Sequence, residues 1–184
     1  MKCMFSAITL LIAFQLFSIM TFSQSLQDTV RIDTTDMSMY RELDLMPEYQ
    51  YFKNTNVSIR PPKYFIEFSS NEASGFLSTG TAANIVGFEY DQVPYLGYYE
   101  NIADSAFSVV DNARFITSEK GVTQEGYKAQ YFFYSFVIDD VDIIRIMFVT
   151  GDDKRMIYMQ ANYPAGFDAL LRPVIVQSLL SVKF

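Results

Sequence analysis

Apolar and polar residues fall into three regimes along this 184-residue chain. From Met4 to Met20 they form an apolar run, broken only by Ser6, Thr9, Gln15 and Ser18. From Ser25 to about Asn56 the chain is polar, with Met39, Leu43 and Met46 at helical spacing before Pro47. From Val57 onward, short alternating or wholly apolar stretches are bounded by turn residues, which is the pattern of strands.

Val57-Ser58-Ile59 alternates, Pro61-Pro62 turns the chain, and Tyr64 to Phe68 resumes an extended pattern. Gly75-Phe76-Leu77 predicts a short strand and Ala83 to Tyr90 a longer one. After Pro94, Ile102, Ala106 and Val109 or Val110 recur at helical intervals while Glu100, Asp104 and Asp111 face away, which predicts a helix. Four strands follow: Arg114 to Val122, Tyr127 to Ile138, Val141 to Thr150 and Arg155 to Tyr163. Their connections, Gln124-Glu125-Gly126, Asp139-Asp140 and Gly151-Asp152-Asp153, are too short for anything but antiparallel neighbours. A last helix follows Pro164, with Phe167, Leu170, Leu171, Val174, Ile175 and Leu179 as its buried stripe. Pro173 fits a helix that starts near Arg172, and otherwise implies a kink after a preliminary turn.

The meander strands have no polar face. Only Arg145 interrupts Ile143 to Val149, and Tyr131-Phe132-Phe133-Tyr134 is unbroken. An antiparallel sheet with one wet face would alternate, so this one is expected to be covered on both sides. The fold expected is α+β: an α-β-α sandwich with a central, mostly antiparallel sheet of about six or seven strands and a C-terminal helix.

The first regime changes what counts as the working protein. Met1 and Lys2 precede the apolar run, and Thr21-Phe22-Ser23 ends it with small residues at the two positions a signal peptidase inspects. Residues 1–23 are therefore expected to be a cleavable signal peptide, 24–56 a polar lead-in and 57–184 the domain. After cleavage no membrane span remains. Lipidation is disfavoured because Cys3 precedes the run rather than following it. The expected location is periplasmic or extracellular.

Composition then narrows the chemistry. The chain has no His, and its one Cys lies in the signal, so the common nucleophile–base pairs, hydrolytic zinc sites and disulfides are out of reach. Stability has to come from buried apolar surface, which 17 Phe and 13 Tyr supply. The net charge of −7 repels phosphate backbones, so nucleic acid is not an expected partner.

Few residues remain as candidates. Asp139, Asp140 and Asp142, or Asp152 and Asp153, could in principle act as paired carboxylates, yet both groups fall at hairpin turns that favour Asp for local bonding. Asp140 and Asp142 are weak metal candidates, lacking the glycine and further acids of a calcium loop. Gly75 to Thr81 spaces its glycines like a phosphate loop but has no lysine after the second. Arg145 is the most informative charge: buried, it would call for a carboxylate partner, whereas at a sheet edge it would snorkel to water. Tyr127 and Tyr131 belong to an aromatic stripe that is core unless it reaches a rim, where it would suit binding. Arg145, Tyr127 and Tyr131 are the candidate binding residues; no cofactor is expected.

The order of elements, from Val57-Ser58-Ile59-Arg60-Pro61-Pro62-Lys63-Tyr64-Phe65 through Gly126-Tyr127-Lys128-Ala129 to Tyr163-Pro164 and the last helix, resembles the PsbP-like family, including its DcrB-like bacterial relatives. A eukaryotic Ran-binding import factor shares that fold. The resemblance spans residues 57–184 and implies an antiparallel sheet flanked by helices. It implies binding or assembly rather than an activity, and carries over no functional residues. The expected function is thus a non-catalytic exported binding domain, an accessory or assembly factor docking on an envelope protein complex. A carrier of a small lipophilic ligand, in a pocket between sheet and helix, is the alternative, and a carboxylate-based hydrolase is third.

Overall fold

Turns of two to five residues set the topology of the last four strands. The structure is a computed structural model that describes residues 44–70, 73–95 and 112–184. In chain order the strands are β1 (Gln50–Tyr51), β2 (Ser58–Ile59), β3 (Ile66–Ser69), β4 (Ser74–Leu77), β5 (Asn84–Asp91), β6 (Arg114–Val122), β7 (Lys128–Ile138), β8 (Val141–Gly151) and β9 (Arg155–Pro164). A 3-10 turn, Ala165–Phe167, leads into helix α1, Asp168–Leu180. Strands β3 to β9 form one seven-stranded sheet in the order β3-β4-β5-β9-β8-β7-β6, every neighbouring pair antiparallel. The fold is α+β, as the turn spacing requires, and the four meander strands fall within a residue or so of their expected bounds.

Both sheet faces are largely apolar. One carries Tyr131, Phe133, Ile146, Phe148, Ile157 and Met159 and packs against α1 through Leu171, Val174, Ile175 and Leu179. The other carries Phe132, Tyr134, Met147, Val149, Met156 and Tyr158, all buried. The expected second helical layer, over Ile102 to Val110, lies outside the described residues, as do the signal peptide and the start of the lead-in.

The core begins earlier than the sequence places the domain. Leu45 bridges to Pro62, and Gln50–Tyr51 pairs with Ser58–Ile59, so the end of the polar lead-in holds a strand that its composition hides. Met46 lies outside any helix, between that bridge and β1. Phe52 is only 1% exposed and meets Phe76 edge-on at 5.2 Å. Gly87 makes room for it: a Cβ there would lie 2.8 Å from the Phe52 ring. Burying such a ring contributes about 2–3 kcal/mol.

The C-terminus closes the same face. Ser58 and Lys183 exchange backbone hydrogen bonds of 2.8 and 2.9 Å, and Ser178 Oγ donates to the Arg60 carbonyl at 2.8 Å. Helix α1 starts at Asp168 rather than near Arg172, so Pro173 sits inside it after the preliminary 3-10 turn. The proline is on the exposed side, where a missing amide hydrogen bond costs least. Asp168, in the first turn, accepts from Tyr163 Oη at 2.8 Å and from Arg172 Nε and Nη2 at 3.0 and 2.7 Å. Its negative charge also suits the helix N-terminus. Burial, then the Asp168 carboxylate, raises the Tyr163 phenol pKa.

Candidate binding site

Arg145 is neither at an edge nor snorkelling. It stands on β8, between β7 and β9, and is 5% exposed. Its register places it opposite Tyr134 on one side and Asn162 on the other, and Asn162 in turn opposes Asn84. Side chains opposed in register share a face, so Tyr134, Arg145, Asn162 and Asn84 form a polar row across an otherwise apolar sheet. The row continues through Leu77 to exposed Ile66 on edge strand β3.

The row is bonded amide to amide. Arg145 Nε donates to Asn162 Oδ1 at 2.7 Å, and Asn162 Nδ2 donates to Asn84 Oδ1 at 3.0 Å. Gln160 Nε2 reaches the same Asn162 oxygen at 3.5 Å, while its own Oε1 accepts from Tyr158 Oη at 3.1 Å. The guanidinium also lies 4.7 Å from the centre of the Phe136 ring. Among the described residues no acid pairs with Arg145, and its side-chain hydrogen bond to them runs from Nε to an amide oxygen. Burial pulls its pKa down to about 10, slightly offset by Tyr158. It remains a cation at neutral pH, and a buried charge without its counter-charge is costly.

Tyr127 and Tyr131 do not join it. Tyr131 faces the α1 side of the sheet, stacked near Phe133 and tilted against Phe148 at 5.3 Å, and its hydroxyl lies over Gly121. Burial, with Glu119 nearby, raises its pKa. The Tyr127 ring packs on Phe184 at 4.7 Å, and its amide donates to Thr123 Oγ1. Both tyrosines are therefore packing residues on the face opposite Arg145.

The acids serve turns. Asp139 and Asp140 both have positive φ, 48° and 63°, the conformation of a tight two-residue hairpin loop. Asp152 Oδ1 accepts from the amides of Lys154 and Arg155 at 2.8 and 2.7 Å. Asp142 is exposed on β8 opposite Val137. Among the described residues no group of three His, Cys, Asp or Glu is placed to hold a metal. The glycine-spaced segment after Gly75 is a turn, closed by Ser78 N–H to Ala83 O and by Thr81 Oγ1 to Ser78 Oγ.

A cavity of about 250 Å³ lies near β6 and β7, lined by Tyr95, Lys120, Gly121, Lys128, Ala129 and Gln130. Among the described residues no helix is long and apolar enough to cross a membrane.

Sequence reasoning found Arg145 but not its neighbours. The Asp139-Asp140 turn fixes the β7–β8 register and with it the Tyr134 pairing, so that member was within reach. Asn162 lies opposite Arg145 across the short β8–β9 turn, so that pairing too was within reach; Asn84 sits on β5, whose pairing with β9 depends on a long connection that nothing local marks.

No family model and no curated protein matches the sequence. Solved structures match in fold. CyanoP, the cyanobacterial PsbP of Synechocystis sp. PCC 6803, is 11% identical, covering 74% of this chain and 91% of its own, with a TM-score of 0.52. LpqN of Mycobacterium tuberculosis, involved in cell envelope biogenesis, is 11% identical over 69% of this chain and 82% of its own, with a TM-score of 0.49. A protein of Bacteroides thetaiotaomicron is 12% identical with a TM-score of 0.46; the match covers 69% of this chain and 44% of that protein. At such identities the likeness is one of architecture, and the architecture, as the CyanoP match supports, is PsbP-like.

Proposed function

We propose that this chain is a non-catalytic exported domain that binds, acting as an accessory factor docked on a protein complex of the cell envelope. The observation that carries the reading is Arg145, a buried cation on a central strand held by an amide rather than by a carboxylate of the described residues. Of the acids that could have run carboxylate catalysis, Asp139, Asp140 and Asp152 are engaged in turns, which supports binding over hydrolysis. The apolar leader in the sequence and the PsbP-like fold agree with an exported accessory role.

The test is site-specific photo-cross-linking in the native envelope, with the probe amino acid at exposed Ile66, at the open end of the polar row. A discrete adduct with one envelope protein, absent when the probe is moved to Val122 on the far edge strand, is the expected result. Adducts spread over abundant envelope proteins from both positions would refute docking at this face.

A further inference from the structure

We infer that the cavity beside β6 and β7 binds a small organic acid that carries its own hydroxyl group. The inference goes beyond docking, since it concerns a small molecule at the β6 side of the sheet, whereas Ile66 lies on β3 at the other edge.

The strand register assembles the cavity. Lys128 and Gln130 are two residues apart on β7 and share a face, and Lys120 on β6 lies directly opposite Gln130. Tyr95 is a further wall. A Cβ on Gly151 would come within 2.9 Å of the Tyr95 Cβ, so the glycine leaves that place to the tyrosine. The Tyr95 amide donates to the Asp152 carbonyl at 2.8 Å, which holds it there. The cavity measures about 250 Å³, roughly the volume of eight liquid waters. That is room for a single-ring molecule, just below the ~300 Å³ at which pockets for drug-sized ligands begin.

Two polar features state what the molecule must carry. The first is Gln130. It is 6% exposed, it lines the cavity, and its Oε1 has no hydrogen-bond partner. Native proteins satisfy nearly all buried side-chain acceptors. An amide oxygen can only accept, so the molecule has to bring the donor. Val149, opposite Gln130 on β8, has none to give. The second feature is charge. Lys120 and Lys128 line the same cavity, and the acids of the flanking turns are engaged elsewhere. Glu125 pairs with Lys183 at 3.2 Å and Asp152 with Arg155 at 3.1 Å. Two neighbouring cations favour an anion beside them and repel a protonated amine, so the donor has to be neutral, and a hydroxyl is the smallest. Tyr95 and the lysine methylenes add apolar surface on which a carbon skeleton packs. An inorganic anion would leave that surface unfilled, and a neutral sugar would leave the charge unmatched.

The experiment titrates the full chain with two matched pairs of small molecules. 4-Hydroxybenzoate is paired with benzoate, which lacks the hydroxyl, and D-glucuronate with D-glucose, which lacks the charge. Calorimetry gives the affinity, and the Gln130 side-chain amide resonances, assigned by their absence from Gln130→Leu, give the location. Saturable binding of either hydroxy acid, roughly 10-fold or more tighter than its control, supports the site. Which of the two binds tells an aromatic body from a sugar body. Gln130→Leu is expected to weaken that binding about 3–10-fold, the worth of one hydrogen bond. Lys128→Gln should weaken it about 2–5-fold, because Lys128 is exposed. The exposed position also tests the site should Gln130→Leu disturb the sheet, and an unchanged thermal melt qualifies either variant. A smaller difference within both pairs, saturation by neither hydroxy acid, or full affinity in both variants overturns the assignment. Such a failure leaves the cross-linking at Ile66 untouched, because these probes need no envelope partner.

Discussion

Replacing Arg145 by methionine exchanges an unpaired buried cation for an apolar side chain of similar length. Burial holds the guanidinium pKa near 10, roughly two and a half powers of ten below its free value, or about 3 kcal/mol against the charged form. The substitution also removes the hydrogen bond to Asn162 and the contact with Phe136, together about 1–2 kcal/mol. Asn162 keeps Asn84 and Gln160, so no new orphan is created. The expected net effect is a gain of about 1–2 kcal/mol, the direction seen when buried ions give way to hydrophobic residues. For a domain of this size that corresponds to a rise of roughly 2–8 °C in Tm. Urea unfolding at pH 7 measures it. The sign with pH follows from a folded-state pKa below the unfolded one. The penalty is then fully present below about pH 10 and fades as the pH rises through that value. The advantage of the variant should therefore shrink between pH 7 and pH 10.5, with tyrosine ionisation cancelling between the two proteins. A loss of 2 kcal/mol or more at pH 7 would refute the reasoning, because it would mean that the Arg145 charge is satisfied within the fold.

Other substitutions probe the frame around the site. Phe52→Ala should cost about 3–5 kcal/mol in urea unfolding, since the ring is fully buried against Phe76 and beneath Gly87. A near-neutral result would return the segment to a mere lead-in. Gly87→Ala should cost about 1–3 kcal/mol through overpacking on the same ring, and combining it with Phe52→Ala should cost less than the sum of the two. Asp140→Gly should stabilise by about 0.4–1 kcal/mol, because glycine suits the positive φ at that position of the turn; a loss would show that the Asp140 side chain does more than occupy the turn. Asp168→Ala should cost about 1–3 kcal/mol, because it strips the Tyr163 hydroxyl and Arg172 of their shared acceptor.

What the sequence made legible, and what it hid, follows from how far each contact reaches along the chain. The β7–β8 and β8–β9 pairings are set by turns of two or three residues, so apolar runs and turn residues were enough to place those strands. The pairing of β5 with β9 joins Asn84 to Asn162 across most of the domain, and no local pattern encodes it. β1 was hidden for a related reason: at two residues it is too short to show alternation, and it pairs with β2, which the C-terminal tail bridges at Ser58. Arg145 lies between these cases. Its anomaly was visible because a charge in an apolar strand breaks the pattern, and the expectation of a carboxylate followed from the energetics of burial. The structure answers that expectation with amides. An amide acceptor fixes the orientation of a guanidinium but cannot cancel its charge, so the row of Asn84, Asn162 and Arg145 holds a buried cation in place without neutralising it. A row evolved only for stability would gain by substituting hydrophobic residues at these positions, which is the sense in which this local cost points to function.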